Sequence, residues 1–337
     1  MSIQLPKLKK VDFNKKSKKK ILLLSDDLRL HSGVGTMSRE MVEHSCHKYD
    51  WVQIGGAIKH PDKGKRFDLS EDMRKQTGVS DANVIIYPAD GYGNAEILRQ
   101  IIQIEKPDAI LHFTDPRFWG WLYQMEHEIR QTMPLIYYNI WDDLPFPHWN
   151  EPFYESCDLL MAISKQTYNI NKHVCQNKPR IEGTDLTYVP HGIDNKKFYP
   201  ISVDHPEFTN LCNFRKDILK GNDYDKIFFF NSRNQLNYLY NMSTATFQPS
   251  SAEGFGLSVC ESLMTGTPIC ATVIGGLQDQ MGFKKEDGSY LTVKDFSDTW
   301  PSNSDGRYKK HGEWAFPLWP LLTLQGSPTT PYIYDSI

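Results

Sequence analysis

Short runs of apolar residues alternate along this chain with longer stretches in which apolar positions recur at helical spacing. The runs at 21–25, 51–54, 84–87, 109–113, 135–140, 159–163 and 186–189 are rich in Ile, Leu, Val and aromatic residues. Such runs mark strands buried on both faces of a parallel sheet. Between them, 37–47, 95–104, 118–132 and 164–172 carry the mixed pattern of amphipathic helices. Strand and helix in alternation predict an α/β doubly wound layer. A second set follows, with apolar runs at 227–230, 245–247 and 269–271 and a helix over 256–264. The stretch 200–225, with Pro206, Gly221 and a helix near 211–219, reads as the connection between the sets. The expected architecture is two Rossmann-like lobes facing across a cleft. A tail over 1–19 precedes an N-terminal lobe over 20–200, a linker over 201–225 and a second lobe over 226–337.

A length of 337 residues suits two domains of ~100–200 residues each. Lys and Arg total 38 against 41 Asp and Glu, a formal charge of -3, which carries no electrostatic signature of nucleic-acid binding. No apolar run approaches the ~18 residues of a membrane span. Six cysteines (46, 157, 175, 212, 260 and 270) form no C-x-x-C pair, and the start of the chain has no apolar signal-peptide core. Reduced thiols and a cytoplasmic setting are expected. The first twenty residues hold eight lysines and one acid, Asp12, so the tail is either a solvated arm or a peripheral contact for an anionic membrane surface.

The strongest candidate chemistry lies in Ser250-Ser251-Ala252-Glu253-Gly254-Phe255-Gly256-Leu257-Ser258-Val259-Cys260-Glu261. Its glycines allow a sharp turn, and the helix that follows offers unpaired N–H groups and about half a positive charge at its N-terminus. A diphosphate fits such a place. Glu253 in the loop and Glu261 in the helix can border one pocket, where carboxylates accept hydrogen bonds from hydroxyls. Phosphate and sugar in one ligand is the combination this predicts.

This segment resembles the retaining GT-B glycosyltransferases of family 4, in which two glutamates are separated by seven residues, as Glu253 and Glu261 are. Ser262-Leu263-Met264-Thr265-Gly266-Thr267-Pro268-Ile269 and Gly275-Gly276 continue the likeness. The resemblance implies transfer of a sugar from a nucleotide diphosphate sugar donor with retention of configuration, without a cofactor, to a glycan, lipid or protein acceptor. It implies that Glu253 contacts donor-sugar hydroxyls, that the amides of Phe255, Gly256, Leu257 and Ser258 hold sugar and phosphate oxygens, and that Glu261 binds the ribose. Gly33 and Gly35 are similar to the loop that closes over the diphosphate, and Pro190-His191-Gly192-Ile193-Asp194 to the segment ending the first lobe. Arg233 is expected just after the strand at 227–230, where it would neutralise the leaving diphosphate.

The family pattern is not complete. No lysine stands between Lys226 and Lys284, and Trp141 stands in the apparent place of a histidine, followed by Asp142 and Asp143. Asp142 is the candidate for direct chemistry there; His112, Trp141 and His191 are candidates for the acceptor side or the cleft wall. Neither Asp142-Asp143 nor Asp26-Asp27 has the spacing of a dedicated metal site, so none is expected. The second lobe reads as abbreviated, which leaves as the alternative a non-catalytic nucleotide-sugar or glycan-binding remnant. A dinucleotide-dependent oxidoreductase shares the rhythm of the fold but not its glycine fingerprint.

Overall fold

The computed structural model describes residues 17–59, 61–218, 233–320, 325–326 and 334–335. The first lobe is built on β1 (Lys19–Asp26), α1 (Gly33–Ser45), β2 (Tyr49–Ile58), β3 (Phe67–Asp68), α2 (Ser70–Thr77), β4 (Val84–Asp90), α3 (Ala95–Glu105) and β5 (Ala109–Phe113). It continues through α4 (Gly120–Gln124), α5 (Glu126–Ile129), β6 (Leu135–Asn139), α6 (Glu151–Glu155), β7 (Leu159–Ala162), α7 (Lys165–Val174) and β8 (Leu186–Tyr188). Its eight strands run in the order β3-β4-β2-β1-β5-β6-β7-β8, parallel except for the antiparallel edge strand β3. Leu22 and Leu24 of β1 point to one face of the sheet, against Leu98 and Ile101 of α3. Leu23 points to the other, in the cluster that holds Met37 and Val42 of α1. This alternation is why an unbroken apolar run makes a central parallel strand.

Helix starts are locally encoded. Ser32, Asn94 and Ser164 each sit in extended backbone and accept a hydrogen bond from a first-turn N–H of α1, α3 and α7. The helix expected over 118–132 is instead a 3₁₀ turn at Pro116–Trp119 followed by the short α4 and α5. Pro116 and the Asp115 cap begin a turn there, and Trp119, Leu122, Tyr123 and Ile129 pack into the core.

In the second lobe, α8 (Phe208–Ile218) falls on the helix expected near 211–219 and packs on α9 (Arg233–Met242). The strand expected at 227–230 lies outside the described residues. Then come β9 (Thr246–Gln248), α10 (Leu257–Met264), β10 (Ile269–Thr272), α11 (Gly275–Gln280) and β11 (Ala315–Leu318). The strands form a parallel three-stranded sheet in the order β11-β10-β9. Val259, Ile269, Ala271, Leu277, Met281 and Trp300 are among the residues of its core. The fold is thus α/β, with two Rossmann-like lobes across a cleft, the second of them small among the described residues. Among the described residues, no helix is long and apolar enough to cross a membrane.

The lobes meet along α7 and α11. The Asp279 carboxylate accepts from the Lys165 backbone N–H at 2.8 Å and from the Tyr188 hydroxyl at 3.1 Å, with the Lys165 ammonium 3.6 Å away. An acid of the second lobe therefore caps a helix of the first. Gln166 accepts from the Gly275 N–H and from the Gln278 amide, both at 3.2 Å, and donates to the Asp142 carbonyl at 2.6 Å.

Candidate functional site

The loop before α10 is shaped by glycine. Gly256 is in left-handed backbone, φ 86°, and no side chain caps the helix it begins. Its N–H donates to Glu253 Oε1 at 3.1 Å, which turns that carboxylate back over the start of the helix. Behind the loop, the Gly276 N–H donates to the Glu253 carbonyl at 2.9 Å. A Cβ on Gly275 would run into that carbonyl, and one on Gly276 into the Gly254 carbonyl and Phe255 Cα. The two adjacent glycines are thus required by backbone-to-backbone packing beneath the loop. In front, a Cβ on Gly254 would come within 2.8 Å of the Ile140 carbonyl of the first lobe, so the loop is pressed between the lobes.

Phe255 is buried in the first lobe's core, edge-on to His191 with ring centroids 5.1 Å apart. This seats the start of α10 at the interlobe junction. Gly33, the first residue of α1, faces it: a Cβ there would lie 3.9 Å from Leu257 Cδ1. Gly35 donates its N–H to Ser32 Oγ at 2.9 Å, and Ser32 donates to Asp26 Oδ2 at 2.8 Å. Burial raises the Asp26 pKa, opposed by the Ser32 bond. The Gly33 to Gly35 turn and the Glu253 loop are therefore brought together, although 218 positions separate Gly35 from Glu253.

Asp142 leaves the end of β6 and joins this junction. Its pKa is pushed up to about 7, by burial first and then by the negative charges of Asp143 and Glu253. An acid of one lobe and an acid of the other thus share one electrostatic neighbourhood. The Asp142 carboxyl therefore keeps its proton to a pH at which an ordinary carboxyl has lost it. On α10, Glu261 accepts from the Tyr240 hydroxyl of α9 at 3.0 Å, and burial, then this acid, raises the Tyr240 pKa. Arg233 is the first residue of α9. Its side chain lies outside the described residues.

Two expected cleft residues turn out to be core. His112 is 0% exposed, stacked on Tyr137 at 4.9 Å and bonded through Nδ1 to the Tyr123 hydroxyl at 2.7 Å. Burial lowers its pKa to about 3, so it is a neutral core ring and does not line the cleft. Trp141, 9% exposed, donates its indole N–H to the Asp143 carbonyl at 3.1 Å and packs edge-on to Trp149. Arg117 lies 5.0 Å over its ring. It braces the Asp142-Asp143 turn and has little face left for a sugar. His191 bonds through Nδ1 to the Tyr138 hydroxyl at 3.0 Å and is held neutral by burial, with its pKa lowered to about 3. It is part of the seat for Phe255.

Residues that the sequence did not single out do much of the positioning. Gln280 donates to the Phe255 carbonyl and, at 3.2 Å, to the Gly256 carbonyl. Asp279, Gln166 and Tyr240 fix the lobe junction and Glu261. Their polar types carry no periodic signal, and their partners are remote in sequence. Among the described residues, no group of three His, Cys, Asp or Glu side chains is arranged to hold a metal ion.

Two Rossmann-like lobes, with a glycine turn of one against an uncapped helix start of the other, define the GT-B fold. The chain is similar in fold to sucrose-phosphate synthase from Thermosynechococcus elongatus, with 13% identity, a TM-score of 0.51, and 78% of this chain and 83% of that one covered. It is also similar to the catalytic domain of starch synthase IV from Arabidopsis thaliana, solved with ADP and acarbose, with 10% identity, a TM-score of 0.50, and 82% and 87% covered. Residues 207–295 match the model of the glycosyl transferases group 1 family, which bears out the resemblance carried by Glu253 and Glu261. No curated protein matches its sequence.

Proposed function

We propose that the protein transfers a sugar from a nucleoside diphosphate sugar to an acceptor hydroxyl with retention of configuration. The observation that carries this reading is the uncapped N-terminus of α10, held between Gly33 of the first lobe and the Glu253 carboxylate. Its first-turn amides, Leu257 and Ser258 included, suit the oxygens of a diphosphate. Glu253 receives hydroxyls of the donor sugar, Glu261 the ribose hydroxyls, and Arg233 the charge that grows on the leaving diphosphate. The bond from the anomeric carbon to the phosphate oxygen breaks, and the bond to the acceptor oxygen forms on the same face of the sugar. The acceptor proton passes to the departing phosphate, while Asp142, poised near neutrality beside Glu253, accepts a hydrogen bond from a neighbouring hydroxyl of the acceptor and so orients it. Closure of the lobes excludes water and so limits hydrolysis of the donor.

The working unit is the first lobe over 20–200 joined by 201–225 to the second over 226–337. A cytoplasmic setting goes with this reading, the basic tail over 1–19 touching anionic membrane. Incubation with UDP-, GDP- and ADP-sugars should release nucleoside diphosphate, and Glu253→Ala should reduce release by at least about a hundredfold. Nucleotide binding without release from any donor would favour the non-catalytic remnant.

A further inference from the structure

Beside the His191 seat of Phe255, a groove of 530 Å3 runs along α1, within the ~300–1,000 Å3 usual for small-ligand sites. Met37, Glu40, Met41 and His44 recur at helical spacing on one face of α1 and line it. Tyr138 of β6 and Met161 of β7 contribute from the sheet, and the chain over 189–195 completes it. The Tyr138 hydroxyl donates to the Val189 carbonyl at 2.6 Å, so its polar end is already satisfied. Glu40 and Asp194 are each paired with Lys197, at 3.2 and 3.6 Å. The lining is therefore predominantly apolar. Three of its members are methionines, whose unbranched side chains adapt to a flexible partner.

The two ends of the groove differ. At one, His191 meets the Phe255 ring of the Glu253 loop at 5.1 Å, and Met37 stands about one turn along α1 from Gly33. At the other, α1 ends beside Lys18, whose ammonium donates to the Cys46 carbonyl at 2.7 Å. Lys18 belongs to the first twenty residues, which hold eight lysines and one acid, a composition drawn to an anionic bilayer surface. An apolar groove leading from this cationic stretch to the candidate site fits a lipid taken from such a surface. We propose that the groove holds the hydrocarbon chain of a membrane lipid and so places the lipid's polar head at the interlobe cleft. That this lipid is the acceptor rests on the transferase reading; the binding of its chain does not.

The test is calorimetry on the full chain with hexyl, octyl and decyl glucoside, each below its micelle concentration. Affinity should rise about two- to fourfold with each added methylene, the factor that burial of one such group supplies. Met41→Glu, at a half-buried position, and Met161→Trp, which fills the groove, should each weaken decyl glucoside about tenfold or more in protein shown to be folded by circular dichroism. Ile104→Ser, at a position 64% exposed on α3 across the sheet, should leave it unchanged. Decyl glucoside should slow amide exchange over 189–195 and, through its head, over 253–258. The wild type should sediment with phosphatidylcholine vesicles containing phosphatidylglycerol, and Met41→Glu less so. Affinity independent of chain length, binding retained in both groove variants, equal loss in Ile104→Ser, protection of neither segment, or absence from the vesicles would overturn the proposal. Release of nucleoside diphosphate from UDP-, GDP- and ADP-sugars is followed in parallel. No release, with binding that grows with chain length, removes the transferase reading and leaves the groove. Release, with binding indifferent to chain length, leaves the transferase reading and removes the groove.

Discussion

Substituting Asp142→Asn tests the electrostatic junction of the two lobes. Burial, followed by the charges of Asp143 and Glu253, lifts the pKa of this carboxyl from the usual 3.8 to about 7 in the folded protein. Between those values the folded chain binds a proton that the unfolded chain does not. The associated stability is fully present below the unfolded pKa and is lost as pH rises through the folded one. Each pH unit in that window is worth about 1.4 kcal/mol, so a ceiling of about 3 kcal/mol separates pH 5 from pH 7. Asp142 keeps partial solvent contact, and screening should reduce the effect to about 1–2 kcal/mol. Asp142→Asn has no such proton to lose. Denaturant unfolding of both proteins at pH 5, 6, 7 and 8 and constant ionic strength should show the wild type losing that amount relative to the variant. Glu253→Gln removes one of the opposing charges and should move the transition to lower pH. Parallel stability profiles for wild type and Asp142→Asn would refute the reasoning, because they would mean a solvated carboxyl remote from Glu253.

Two further substitutions probe the scaffold. Gly275→Ala places a methyl against the Glu253 carbonyl at a left-handed φ of 48°, and should cost about 2–4 kcal/mol in denaturant unfolding; an unchanged midpoint would contradict the packing described for the loop. Asp279→Asn disturbs the cap on α7 and the pairing with Lys165, and should cost about 1–3 kcal/mol and speed amide exchange at the starts of both α7 and α11; exchange unchanged at α7 would show that the lobes are joined by other contacts.

The sheet of the first lobe is legible in the sequence because its strands are buried on both faces. Runs such as that at 109–113 need no partner to be recognised, and β5 occupies those positions. What escapes is what depends on partners. Strand β3 is two residues long, and α2 buries only Ser70 and Met73, so neither produces a periodic signal. The Glu253 loop is legible because Gly254, Gly256, Gly275 and Gly276 meet backbone or side chain at van der Waals distance or closer, a demand only glycine satisfies. The approach of Asp142 to Glu253 is not, since it arises from lobes docked through Gln166 and Asp279. His112 and Trp141 show the converse limit. Polar and aromatic residues at strand ends look like cleft residues, but the aromatic-rich 3₁₀ turn and α4 close over His112, and Trp149 and Arg117 close over Trp141.

The central claim is that the start of α10 grips the diphosphate of an activated sugar. Crystals of the protein soaked separately with UDP, GDP and ADP address it most directly. The account predicts, for at least one of them, a terminal phosphate within hydrogen-bond distance of the Leu257 and Ser258 amides and a ribose against Glu261. A nucleotide bound away from that helix start, or amides that stay closed against protein at saturating ligand, would contradict it.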